Sequence, residues 1–230
     1  MEKNGPHNKL FGVITGDIVG SSKIMEEQRE QLMLSLKSAF ETVNSIVPDI
    51  VHAPFEIYRG DSFQGVFSHP EKALHAAIVI RAGLRYMFKT KQLRHAIDAR
   101  MAVGIGTIDY LPGNRASEGD GEAYRRSGPN LDKMRGYRRL LFRTPWPEID
   151  AELDSACALL DVIVERWSAE QAQAILGQIK GLTQEKAAKE LGISQPAVLS
   201  RLKTAGSWAI EKLCNRFETM IERRAAENEQ

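Results

Sequence analysis

Residues 181–204 read GLTQEKAAKELGISQPAVLSRLKT, and no other stretch limits the local fold as tightly. Thr183 is placed to cap a helix, because its hydroxyl can accept from the free backbone N–H groups of a first turn. Ala187, Ala188 and Leu191 then fall on one face of that helix. Gly192 follows at once, where the chain must turn sharply and a residue without a Cβ adopts positive φ cheaply. Ile193 plugs the turn. Ser194 caps a second helix, and Pro196 sits in its first turn, where a missing N–H costs little. Val198 and Leu202 point inward. The expectation is two short helices joined by a sharp turn over 183–204.

The residues left outside are Gln195, Ser200, Arg201, Lys203 and Thr204. Gln pairs bidentately with adenine, Ser donates or accepts, and Arg and Lys hold phosphate or guanine. The small Ala187 and Ala188 let the two helices approach closely. The stretch resembles the helix-turn-helix of sigma-factor region 4 and of response regulators, in which a Gly-Ile-Ser turn precedes a helix ending in Ser-Arg-Leu. That resemblance implies double-stranded DNA as partner and those five residues as its contacts. The other use of such a hairpin is protein contact.

The 230 residues suffice for one large domain or two small ones, and 43% hydrophobic with 27% charged residues describes a soluble globular chain. No apolar run reaches the roughly 18 residues of a membrane span. The N-terminal MEKNGPHNKL has no apolar signal region, so a cytoplasmic location is expected. Cys157 and Cys214 lie far apart without metal-ligand spacing and read as buried thiols. The net charge of +1 is uninformative as a sum. Over 180–216, however, Lys180, Lys186, Lys189, Arg201, Lys203, Lys212 and Arg216 outnumber Glu185, Glu190 and Glu211.

The texture changes at Pro145-Trp146-Pro147, which divides the chain into a mixed domain, 1–146, and a helical one, 147–230. In the first, Leu10–Ile18 reads as a buried strand and Met25–Val47 as an amphipathic helix. Phe55–Arg59 and Ser62–Phe67 read as a hairpin about Gly60-Asp61. A helix follows from Pro70 to about Phe88, a strand over Ala96–Ile108, a short helix over Glu122–Met134 and a last strand over Arg138–Phe142. The order βαββαβ, with additions, is the ferredoxin-like α+β plan. In the second domain, Glu148–Trp167 is a helix, Ser168 and Gln171 form a capping box for the next, and an apolar stripe of Ile210, Leu213, Phe217, Met220 and Ile221 needs a partner. His52, His69, His75 and His95 lack ligand spacing and read as surface or turn residues.

Two carboxylates stand at strand edges. Asp17 ends the first strand, and Asp61 lies in the hairpin turn. Such a pair, converging at one end of a sheet, can hold Mg²⁺. Gly20-Ser21-Ser22 then offers backbone N–H groups to a phosphate. Gly16-Asp17-Ile18-Val19-Gly20 resembles the first-strand motif of class III nucleotide cyclases. Arg59-Gly60-Asp61-Ser62-Phe63 resembles their hairpin and the GGDEF hairpin of diguanylate cyclases. Ala102–Ile108 and Gly121–Arg126 resemble the later strand and the helix after it. The whole sequence resembles the SatD-like family. These resemblances imply Asp17 and Asp61 as ligands of Mg²⁺ or Mn²⁺ beside a nucleoside triphosphate. They also imply a nucleotide site drawing on Gly20, Ser21, Ser22, Arg59, Arg125 and Arg126. Where cyclases carry an Asn and then an Arg, this chain has Arg125 and Pro129.

Three functions are therefore expected to compete. One is a DNA-binding regulator whose first domain binds a nucleotide or metal, or pairs two subunits in a homodimer. Another is a Mg²⁺-dependent cyclase or nucleotidyltransferase using Asp17 and Asp61. The third is an assembly protein in which both domains make only protein contacts.

Overall fold

The first strand, β1 (Phe11–Val19), runs through the middle of a five-stranded sheet ordered β2-β3-β1-β4-β5. The computed structural model describes residues 9–46, 51–88 and 97–228. The N-terminal segment 1–8, Val47, His95 and Ala96 lie outside them. β3 (Ser62–Phe67) and β4 (Asp98–Gly106) flank β1, both antiparallel to it. β2 (Val51–Arg59) pairs with β3 at one edge, and β5 (Leu140–Arg143) lies parallel to β4 at the other.

β2 begins four residues before the expected Phe55 and passes through Pro54. The β2–β3 register slips between Ala53 and Glu56, around the residue that has no N–H to give. An edge strand tolerates that loss, because its outer side has no ladder to complete.

Each sheet face is covered. Ile14, Ile18, Met101, Val103 and Phe142 pack with α1 (Glu26–Ile46) and α2 (Ala73–Met87). On the opposite face lies α3 (Glu122–Lys133), against Val13 and Ala102. Its approach depends on Gly104, where a Cβ would stand 2.0 Å from the Ala123 carbonyl oxygen and 2.7 Å from the Ser127 nitrogen. A buried chain of hydroxyls also holds it. Gln64 Nε2 donates to Thr15 Oγ1 at 2.7 Å, and Thr15 Oγ1 donates to Ser127 Oγ at 2.9 Å.

Beyond Pro145 the chain is helical: α4 (Pro147–Glu165), α5 (Ala169–Ile179), α6 (Gln184–Leu191), α7 (Gln195–Ala205) and α8 (Ser207–Asn228). The capping box forms, with Ser168 N donating to Gln171 Oε1 at 2.8 Å and Gln171 N to Ser168 Oγ at 3.2 Å. The texture change at 146 does not interrupt the core, for one apolar cluster runs from Leu10 to Ile221. The stripe on α8 finds its partner there, with the Phe217 and Phe142 ring centroids 4.8 Å apart.

An ionic group inside this core joins the two halves. Arg81 of α2 is 0% exposed and clasps Asp98 with Nε and a terminal nitrogen, both at 2.9 Å. Its other terminal nitrogen reaches Asp161 of α4 at 2.6 Å. Arg85 adds bonds to Asp98 at 3.0 Å and to the Glu165 carbonyl at 3.1 Å. Burial opposes ionisation of Asp98, but the two guanidiniums outweigh it and lower the Asp98 pKa.

Candidate functional site

Asp17 and Asp61 come to the same end of the sheet. Thr15 hydrogen-bonds α3, so strand alternation turns Asp17 to that face as well. Gly60 and Asp61 form the two-residue turn between Arg59 and Ser62, which pair across the hairpin, and Gly60 takes φ 65°. β1 follows β3 as far as Gly16 opposite Phe63, which sets the turn just beyond Asp17.

Arg100 is the residue that the sequence reading missed. β4 places it directly across from Asp17. Its Nε donates to Asp17 Oδ1 at 2.9 Å, and a terminal nitrogen donates to Oδ2 at 2.5 Å. The other terminal nitrogen reaches the Met134 carbonyl, just past α3, at 3.4 Å. The hydrogen bond to Asp17 raises the Arg100 pKa; partial burial opposes the rise, and Asp61 and Asp132 add to it. Tyr58 borders the same ground, its pKa raised first by burial and then by Asp132. The signal for Arg100 was a basic residue in a strand that beyond it runs apolar and glycine-bearing, MAVGIG.

Gly20 adopts the left-handed conformation, φ 78°, and opens a short turn, Ser21–Lys23, with no side-chain cap. Ser22 and Arg59 are exposed at this end. Arg125 and Arg126 are elsewhere. Arg126 donates to the Ile105 carbonyl at 2.9 Å, and Ile105 pairs with Gly12. That is five residues along β1 from Asp17, or about 16 Å at the usual rise. Arg125 is held by Asp109 at 3.0 Å and Asp120 at 2.9 Å. In one copy of the chain, then, these two arginines do not join the aspartates in a nucleotide site. The reason is the direction of α3, which starts beside Gly106 and ends beside Arg100.

The 183–204 stretch forms the capped pair of helices that its residues require. Thr183 accepts from Lys186 N at 3.2 Å and Ser194 from Ala197 N at 3.3 Å. Gly192 turns the chain at φ 64°, and Ile193 N donates back to the Ala188 carbonyl at 3.1 Å. Ala187, Ala188, Val198 and Leu202 are buried. Gln195, Leu199, Ser200 and Lys203 are exposed, and Arg201 is half-buried. Thr204 has a different employment. Its hydroxyl donates to the Ser200 carbonyl at 2.8 Å and accepts from Gln171 Nε2 at 3.0 Å, which ties α7 to α5. Trp167 reinforces that tie, donating from Nε1 to the Ala205 carbonyl at 2.9 Å.

A family model described as the SatD family matches residues 11–216. The chain belongs to the SatD family. No curated protein matches it. Among solved structures, this SatD-family chain is similar to the active GGEEF domain of a diguanylate cyclase from Vibrio cholerae. The two are 21% identical over 54% of this chain and 76% of that one, with a TM-score of 0.37. It is also similar to the catalytic core of a rhodopsin-guanylyl cyclase with converted specificity, at 16% identity over 52% and 81%, TM-score 0.34. A third is the dimeric guanylyl cyclase domain of the RhoGC fusion protein from the aquatic fungus Blastocladiella emersonii, at 18% identity over 51% and 83%, TM-score 0.31.

The divalent ion expected on Asp17 and Asp61 does not fit the arrangement in this SatD-family chain. Mg²⁺ needs hard oxygen atoms at about 2.0–2.1 Å, and both oxygens of Asp17 accept from Arg100. Among the described residues no three His, Cys, Asp or Glu side chains gather where they could hold a metal ion. His69 is exposed, as expected, and meets Glu71 at 3.0 Å, whereas His75 is half-buried in α2, 2.9 Å from Glu218. Both cysteines are 1% exposed, in keeping with buried thiols. No helix among the described residues is long and apolar enough to cross a membrane.

Proposed function

We propose that this SatD-family chain is a DNA-binding regulator in which α6 and α7 form a helix-turn-helix and α7 enters the major groove. One observation carries the reading. α7 turns Gln195, Leu199, Ser200 and Lys203 to solvent. Among the described residues, no carboxylate pairs with Lys186, Lys189, Arg201 or Lys203. Arg115, Arg126, Arg143 and Arg224 do have such partners, whereas Arg135 and Arg139 bond only backbone carbonyls. A surface that leaves its cations unneutralised beside hydrogen-bonding side chains suits phosphate and base edges together. Exposed Leu199 adds an apolar group of the kind that meets a thymine methyl. Thr204 drops out of the contact set because its hydroxyl, although exposed, is engaged by the Ser200 carbonyl and Gln171.

The sheet half then serves as the body that sets α7 in place. A homodimer would present two copies of α7 to half-sites about one helical turn, or 34 Å, apart. Titration of a fluorescent duplex with the intact chain tests the reading. Binding at low salt that weakens steeply with added salt supports it, and no binding at low salt refutes it.

A second reading is a Mg²⁺-dependent nucleotide cyclase or nucleotidyltransferase. It draws on Asp17 and Asp61 sharing one sheet end, and the Asp17–Arg100 pair weighs against it. Incubation with each nucleoside triphosphate and Mg²⁺ or Mn²⁺, read by mass spectrometry, tests that reading directly.

A further inference from the structure

We propose that Arg100 is the resident cation of the Asp17 sheet end, filling on that carboxylate the place a divalent ion would need. The geometry is specific. Arg100 and Asp17 are register partners on adjacent strands, so neither must reach for the other. The planar guanidinium meets the carboxylate fork to fork, through Nε at 2.9 Å and a terminal nitrogen at 2.5 Å. Paired N–H···O bonds of this kind are the strongest and most directional that an arginine makes. A third nitrogen is anchored on the Met134 carbonyl at 3.4 Å, so strand, carboxylate and the end of α3 all fix the group. Asp61 and Asp132 lie within electrostatic reach of it. The negative charge of this end therefore already faces a permanent positive one. A divalent ion would have to break these hydrogen bonds or bind the outer lone pairs of Asp17 close against the guanidinium charge. A phosphate-bearing ligand brought to this end meets an arginine rather than a metal.

This role is independent of DNA binding through α7, and a Mn²⁺ titration of the full chain by electron paramagnetic resonance tests it. The parent protein and Asp17→Asn are expected to bind Mn²⁺ alike, because Arg100 already occupies the fork of Asp17 and its positive charge repels a second cation. Arg100→Gln is expected to gain a site at least about tenfold tighter than anything in the parent. That site should vanish in the Arg100→Gln, Asp17→Asn double variant. Arg100→Lys, which keeps a cation against Asp17, should stay close to the parent. Mn²⁺ binding in the parent that Asp17→Asn removes would overturn the proposal, and so would a folded Arg100→Gln with unchanged Mn²⁺ affinity. The comparison of the parent with Asp17→Asn decides the matter even if Arg100→Gln does not fold.

Discussion

Arg81 of α2 donates to Asp161 of α4 at 2.6 Å, with the guanidinium entirely shut away from water. The bond spans the point where the sequence changes from mixed to helical. Asp161 also accepts from the backbone nitrogens of Arg139 and Leu140 at 2.7 and 3.4 Å, which ties β5 into the same group. Removing one member of such a group leaves its partner charged and buried, which costs about 3–5 kcal/mol. Asp161→Ala is therefore expected to lower the free energy of unfolding by roughly that amount. Because one core runs through both halves, urea should unfold the parent in a single transition, followed together by fluorescence and circular dichroism. Two separate transitions, or a loss for Asp161→Ala that is within error, would contradict this.

His75 gives the stability a pH dependence. It lies between α2 and α8, near Lys72 and Glu218. Burial lowers its pKa below 6.5 despite the pull of Glu218, and Lys72 adds to the lowering. The fold thus prefers the neutral imidazole, whereas the unfolded chain takes up a proton as the pH falls through 6.5. The stabilisation is complete above that value and is lost as the pH falls from it toward the folded pKa. The urea midpoint of the parent should drop between about pH 7.5 and pH 5.5, and His75→Gln should show a smaller drop. His52 shifts in the same direction, again through burial first, so the parent is the proper reference. An equal drop in both proteins would remove His75 from the account.

The thiols should report global opening. Burial pushes Cys157 and Cys214 up to about 12, far from the thiolate range at which cysteines react. A colourless-to-yellow disulfide reagent at mildly alkaline pH is expected to leave both unmodified in the native protein. In urea it should label both. Prompt labelling without denaturant would mean that α4 or α8 opens readily.

Much of this was legible in the sequence because it rests on local rules. Thr183, Gly192 and Ser194 declare their caps and turn by residue type, and each takes that role. Gly60-Asp61 likewise marks its hairpin. What escaped depends on residues distant in sequence. Nothing local pairs Arg100 with Asp17, since only the β1–β4 register sets them face to face. Arg125 looked like a neighbour of Asp17 by motif, yet the run of α3 carries it to the opposite end of the sheet. Arg81 and Arg85 sit four residues apart in the apolar run ALHAAIVIRAGLRYM, which signals a buried partner without naming it. The expected start at Phe55 left out the four residues before it, and the edge position of β2 lets the strand pass through Pro54.

The proposed DNA recognition by α7 is tested by the salt dependence of duplex binding for the parent and for Arg201→Ala with Lys203→Ala. Fluorescence anisotropy of a labelled duplex, followed over a range of salt, gives the slope of log affinity against log salt. The parent is expected to bind at low salt and the double variant more weakly, with a slope shallower by about 2 as two phosphate contacts are lost. A parent that leaves the duplex anisotropy unchanged at low salt, or a double variant with the same affinity and slope, would contradict it.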